Sequence, residues 1–578
     1  MALVLAGLAV ALGAGCGGGG GKSEAGAPGR LGSSGQPSLQ SAGTASGYTP
    51  SGQLVADSGF RPDQNGFPFE NYGGDVGAQD LGPAQMKDLF GDQVCANQAN
   101  GQCTLSPPAQ AWMNEVNKSM AGGHCMGFSV ASLQLYKQQL KAPDFGASNP
   151  VSLSIGGNTG LQQRIAEDFA YQYLDKVKSA AIKGTPNEIL DKLTEVLKSG
   201  DETYTLGFFK KDGSGGHAVT PYAIEDKGNG KFAVLIYDNN YPKTVRAMDF
   251  DRNANSFSYN GSPNPAEAAG LYEGDPSSPQ MILFPTSAGQ GTQPCPFCMQ
   301  GGGGQATSDQ STDQSSQSSD QSSGTEQLDQ GSEQAGKYYT VTLAGTPDNH
   351  ANLVIEDDQG NQTGFINGKL VEDIDGVQVV DTLADQNWLG GEEPNYEIPL
   401  DKKVTITIDG SSLNKGDSET MTMTGPGYNA VVDDIKVNPG QKDTFEVSPD
   451  GSEISYTTDP QQTESPAIAL GFQEQGPDYA FAVAAGDIVG GSTISVMLDR
   501  NNHELTVDTA GTKAAGTYAL DIQRIDENAT QEFKHEHLQL NPDEQATLNY
   551  GSFTEHGQSL PLSIKDKSGQ QRQETLTD

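Results

Sequence analysis

Cys125, His217 and the run Asp238-Asn239-Asn240 supply, in that order along the chain, a thiol, an imidazole and an acid or amide. A thiol attacks an acyl carbon only as thiolate, so it needs a base within hydrogen-bond reach and a third group to hold that base. The local runs are Gly122-Gly123-His124-Cys125-Met126-Gly127-Phe128-Ser129, Gly216-His217-Ala218-Val219 and Tyr237-Asp238-Asn239-Asn240. Glycines on both sides of Cys125 leave room for a ligand's backbone to come close. The pattern is that of a cysteine hydrolase: Cys125 as nucleophile, His217 as general base and then acid, Asp238 as orienter, with Asn239 and Asn240 as alternative orienters.

The elements that must position these groups are legible around them. Residues 127–139 read as a helix carrying Phe128, Ala131 and Leu135 on one side, with no proline before Pro143. Cys125 therefore falls at a helix N-terminus, where the macrodipole and free N–H groups stabilise a thiolate and a developing oxyanion. Further helices are expected over 161–179 and 186–198, the second with Thr185, Pro186 and Glu188 as its starting signals. Residues 218–225 and 232–237 read as a β-hairpin with its loop centred near Gly228 and Asn229. That turn sets His217 roughly opposite Asn240, with Asp238 and Asn240 on its side and Asn239 away. A one-residue slip reverses the choice.

The Gly-His-Cys-Met-Gly-Phe-Ser run resembles the papain-type nucleophile segment, in which Gly-x-Cys-Trp-Ala-Phe-Ser opens the central helix. Gly216-His217-Ala218-Val219 resembles that superfamily's Gly-His-Ala-Val strand. The likeness covers residues 93–241, well under half of the chain, and its transglutaminase-like and bacteriocin-processing-like branches match equally. It implies a papain-like fold, helical lobe first and β-lobe second, acting on a peptide or protein substrate or on other acyl bonds. Hydrolysis and acyl transfer both remain open. It implies no cofactor. The chain departs from the pattern at two places: Ser119 stands where a glutamine helps form the oxyanion hole, and Met126 where a tryptophan follows the cysteine. Asn117 and Ser119, with Asn114 behind them, are the oxyanion candidates; loss of one such donor costs about 10²–10³ in rate.

The N-terminal segment is what would place this chemistry outside the cytosol. The apolar run from Ala2 to Ala14 ends in small residues directly before Cys16. It resembles a bacterial lipoprotein signal, with Cys16 as the lipidation site, although no Lys or Arg precedes it and Leu12 stands one place too far from the cysteine. Attachment to the membrane is then through lipid only, in the bacterial cell envelope. With six cysteines, Cys16 and Cys125 taken, the remaining four are expected as two local disulfides, Cys95 with Cys103 and Cys295 with Cys298. A redox role for the second pair would need a strand-to-helix turn, where a glycine tract follows instead. A net charge of −40 excludes nucleic acid, whose phosphates demand clustered Lys and Arg. No metal is expected: the Asp249 to Asn255 run lacks the sixth-position glycine of a calcium loop, and nothing joins His535 and His537.

The expected class is α+β: a papain-like cysteine-hydrolase domain, then a disordered linker, then two all-β Ig-like sandwich modules. Residues 1–16 form the signal and 17–59 a flexible tether, followed by the papain-like domain over 60–285. Ser, Gln, Asp and Gly dominate the linker over 286–336. Short alternating runs such as Val404-Thr405-Ile406-Thr407-Ile408 mark the modules, 337–450 and 451–578. The competing reading is a non-catalytic surface lipoprotein whose β-modules bind a partner.

Overall fold

A computed structural model describes residues 47–74, 77–98, 101–211, 215–261, 270–299, 336–346, 349–380, 383, 393–526 and 529–578. The described chain is β-rich α+β, with a mixed domain first and an all-β domain after it. Cys16, with its signal, lies outside the described residues, as does the stretch 300–335.

In the mixed domain the helices are α1 (Pro62–Asn65), α2 (Pro83–Phe90), α3 (Pro107–Ser119), α4 (Cys125–Tyr136), α5 (Thr159–Phe169), α6 (Asp175–Ala180) and α7 (Pro186–Ser199). The strands are β1 (Gln53–Asp57), β2 (Cys95–Asn97), β3 (Thr104–Leu105), β4 (Ile182–Gly184), β5 (Tyr204–Phe209), β6 (Gly216–Gly228), β7 (Lys231–Tyr237), β8 (Arg246–Asp251), β9 (Ser256–Gly261), β10 (Gly270–Gly274) and β11 (Met281–Pro285). Apart from the β2–β3 pair they form one antiparallel sheet in the order β10-β9-β8-β7-β6-β5-β11-β4, with β1 added to β6. α7 starts where Glu188 accepts the Thr185 N–H at 2.8 Å, and stops at Gly200. The single helix expected over 161–179 is broken instead: a 3-10 turn at Ala170–Tyr173 and an extended Leu174 separate α5 from α6. That break leaves Gln172 in a buried turn rather than on a helix face.

Two expected boundaries move. The tether does not run to 59, because β1 pairs with β6 and the segment before it clasps a buried carboxylate. Glu225 accepts the Ser51 N–H at 2.7 Å, together with the Gly52 N–H and the Tyr48 hydroxyl. An unpaired β6 edge would expose a row of N–H and C=O groups, which β1 covers. The linker does not begin at 286 either. Residues 286–299 belong to the mixed domain, closed by the Cys295–Cys298 disulfide, and Phe297 stacks on Trp112 at 5.3 Å between ring centroids. The Cys95–Cys103 disulfide is present as well, with its Cα atoms 5.3 Å apart.

The β-domain corrects the expectation of two separate sandwiches. One sheet of nine strands and one of eleven run through its whole length. Tyr428–Val437 pairs with Ala467–Phe472 in the first, and Glu453–Thr457 pairs with both Lys442–Val447 and Thr493–Asp499 in the second. The expected 450/451 boundary therefore falls in a hairpin. One buried cluster runs from Tyr339 to Leu576 between the sheets. Two modules side by side would each present open edges; pairing those edges removes them and merges the cores.

The two domains are docked. α3 lies across the nine-stranded sheet, where Gly471 has no side chain to meet Pro107. Lys178 of α6 forms ion pairs with Asp175 at 2.9 Å and with Glu397 of the β-domain, and Tyr338 bonds to Asp175. The Gly427 N–H donates to Phe297 O at 2.9 Å and the Met299 N–H to Gln473 Oε1 at 2.8 Å.

Candidate active site

Cys125 is the first residue of α4, and three contacts fix where that helix starts. The His124 N–H donates to Asn71 Oδ1 at 2.8 Å. The His124 ring is held by Tyr72 O at 2.7 Å and Asp80 Oδ1 at 3.0 Å. Gly123 takes φ +137°, open to glycine and not to other residues, where an added Cβ would lie 2.9 Å from Asn71 Nδ2. Behind the cysteine, α4 is keyed to the sheet by buried hydroxyls. Ser129 Oγ meets Thr220 Oγ1 of β6 at 2.9 Å and accepts from Thr205 Oγ1 of β5 at 2.8 Å. Burying polar groups in pairs makes this register costly to change.

His217 stands near the start of β6, beside Phe208 on β5. Its Nε2–H donates to Asp238 Oδ1 at 3.2 Å. Asp238 follows β7 directly; Oδ1 also accepts the Asn240 N–H at 2.9 Å, and Oδ2 accepts the hydroxyl of Tyr259 on β9. An ionised carboxylate only accepts, so the Asp238 bond puts a proton on Nε2 and leaves Nδ1 for proton exchange. Nδ1 is buried and, apart from the neighbouring Cys125 side chain, has no partner. Burial works against a charged imidazole here. The Asp238 carboxylate, its hydrogen bond and the neighbouring Cys125 outweigh burial and lift the His217 pKa to about 10. Burial would likewise raise Asp238, but His217 and the Tyr259 and Asn240 donors hold it below the ordinary carboxylate value.

The sequence-derived candidates divide cleanly. Cys125, His217 and Asp238 converge. Asn239 and Asn240 do not orient the imidazole: Asn239 Nδ2 donates to Cys125 O at 3.3 Å and Ala218 O at 3.2 Å, tying the helix start to β6, while Asn240 offers Asp238 its backbone N–H. The oxyanion candidates are elsewhere. Asn117 spends both ends of its amide on the Leu81 backbone, at 3.0 and 2.9 Å, and Ser119 Oγ donates to Val116 O and accepts from Tyr173. Asn114 accepts from Gln110. The donors the fold does place at the cysteine are the first-turn N–H groups of α4, which have no partner inside a helix. Asp249 and Asp251 sit in the β8–β9 hairpin and pair with Lys227 and Lys231, as strand carboxylates do.

Four participants carried no signal in the sequence: Asn71, Tyr259, Gln172 and Leu383. Leu383, from the β-domain, is the least expected. Cys125 Sγ donates to Leu383 O at 3.4 Å, and the Leu383 N–H donates to Gln172 Oε1 at 2.6 Å. Its side chain is buried in the cluster that holds Cys125, Met126, Phe209, Ala218 and Phe284. Cys125 is 1% exposed and His217 and Asp238 are fully buried, so the site is closed in this state.

No helix among the described residues is long and apolar enough to cross a membrane. Comparison with protein-family models, curated proteins and solved structures returns no match for this chain.

Proposed function

We propose that this chain is an exported, lipid-anchored cysteine hydrolase with a papain-like mixed domain, cleaving peptide or other acyl bonds of a peptide or protein substrate. The observation that carries the reading is the His217 ring, fixed through Nε2 by Asp238 with its second nitrogen left to the cysteine that opens a helix. A protonated imidazole stabilises negative charge next to it, which suits attack by sulfur. In this reading Sγ adds to the acyl carbon, the N–H groups at the start of α4 receive the oxyanion, and His217 Nδ1 passes its proton to the leaving group. Water then attacks the thioester carbon, giving a proton to His217, and the C–Sγ bond breaks to release the acid and return Cys125 as thiolate beside the protonated imidazole. An amine in place of water makes the same site an acyltransferase. Two disulfides suit an oxidising compartment, and Cys16 supplies the anchor.

The second reading, a surface lipoprotein binding a partner through its β-domain without catalysis, is favoured by the complete burial of the triad. Alkylation of Cys125 by iodoacetamide at pH 6, read by peptide mass, separates the two. Under the hydrolase reading His217→Ala slows it by about a hundredfold, the scale of a lost acid–base partner. Equal rates in both proteins would leave the β-domain as the seat of function.

A further inference from the structure

Leu383 sits at Cys125 much as an acyl substrate would. Its carbonyl oxygen points at the thiol, its N–H is captured by Gln172 Oε1, and its side chain fills an apolar recess beneath β5. The recess is shaped by an absence on β5: a Cβ added at Gly207 would lie 2.7 Å from Leu383 Cδ1. Gly207 pairs with Ala218, the residue after His217, so the recess adjoins the imidazole's own backbone. The thiol meets the carbonyl oxygen and not its carbon, so the contact holds the sulfur without attack.

We propose that this recess is a leucine-recognition pocket for the residue whose carbonyl is attacked, and that the chain's own Leu383 occupies it in the resting state. The inference rests on the hydrolase reading and adds its substrate class: acyl donors with a branched aliphatic side chain on the residue next to the scissile bond. Backbone capture by Gln172 and the space above Gly207 supply recognition; the β-domain supplies a competitor in cis. A competitor tethered in the same chain lowers the fraction of molecules free to bind, and apparent affinity falls by that fraction.

The test uses the full chain, with iodoacetamide as a small probe and the chloromethyl ketones of acetyl-leucine and acetyl-glycine as shaped ones. Leu383→Gly is expected to speed iodoacetamide labelling of Cys125 at least about tenfold, as the competent fraction rises. The leucyl ketone then outpaces the glycyl ketone. Gly207→Ala, made in the other domain, is expected to speed iodoacetamide labelling as well by displacing Leu383, and to erase the leucyl preference because the pocket is filled. Unchanged labelling in both variants overturns the proposal, and so does equal labelling by the two ketones in Leu383→Gly. If Leu383→Gly accelerates labelling while His217→Ala has no effect, the occupied pocket stands and the hydrolase reading falls.

Discussion

Asp238 divides its oxygens between His217 and Tyr259, and that division sets how the imidazole titrates. Because the His217 pKa is raised, its contribution to stability is fully present below the ordinary histidine value of about 6.5 and is lost as pH climbs through about 10. Asp238→Asn keeps the shape and removes the charge. The His217 titration midpoint, followed by NMR of a ring-labelled sample, should then move down toward the ordinary value, and the loss of stability between neutral and alkaline pH should shrink. A midpoint that stays high would place the source of the shift elsewhere than Asp238. Tyr259→Phe leaves the charge but strips one donor from a buried carboxylate, an expected cost of about 1–3 kcal/mol in urea unfolding.

At the scale of elements, the start of α4 depends on how closely α5 can cross it. A Cβ at Gly127 would fall 2.0 Å from the backbone oxygen of Ile165, so Gly127→Ala must push the helices apart. Overpacking of this kind costs about 1–3 kcal/mol, and backbone yields less readily than a side chain. A lowered urea midpoint, with faster labelling of Cys125 as the helix start loosens, is the expected result; an unchanged midpoint would mean that the crossing is loose. What could be read from the sequence at this scale follows the range of the forces. The α7 start and the cysteine at a helix N-terminus rest on neighbours in sequence, and they appear as expected. The β6–β7 hairpin shows where that reading runs out. Its loop is Asn229-Gly230, both at positive φ, one place beyond the expected centre. Bulges between Pro221 and Ala223 and between Asp226 and Gly228 then return the pairing to Thr220 opposite Tyr237. That is the register from which the orienter was chosen, reached through two bulges that no residue pattern announces. β1, Tyr259 and Leu383 were invisible for a related reason: each is placed by a partner on a distant segment, and nothing in its own neighbourhood differs from an ordinary strand or loop residue.

At the scale of the whole molecule, the merged sheets carry an unusual load of buried acid. Burial pushes Glu393, Glu419, Glu464, Asp478 and Asp521 each up to about 7. Each carboxyl therefore binds its proton more tightly folded than unfolded, where the value is about 4. Its contribution is complete below that unfolded value and is lost as pH rises through about 7. His217 pulls the same way at higher pH; His350, which burial pushes down, opposes, and carboxylates held below their ordinary value, Asp238 among them, oppose only as pH falls toward about 4. The balance predicts a protein more stable in mild acid than at alkaline pH: by calorimetry, Tm at pH 5 should exceed Tm at pH 8 by at least about 3 °C for a β-domain of this size. The net charge of −40 adds a rival cause, since protonation also relieves surface repulsion. Salt tells them apart. At 1 M ionic strength exposed charges more than about 3 Å apart are screened, while buried carboxyls are reached far less. A difference that survives high salt, and shrinks when Glu393→Gln and Asp521→Asn are combined, belongs to the interior of the sheets; one that salt abolishes belongs to the surface and would contradict the assignment.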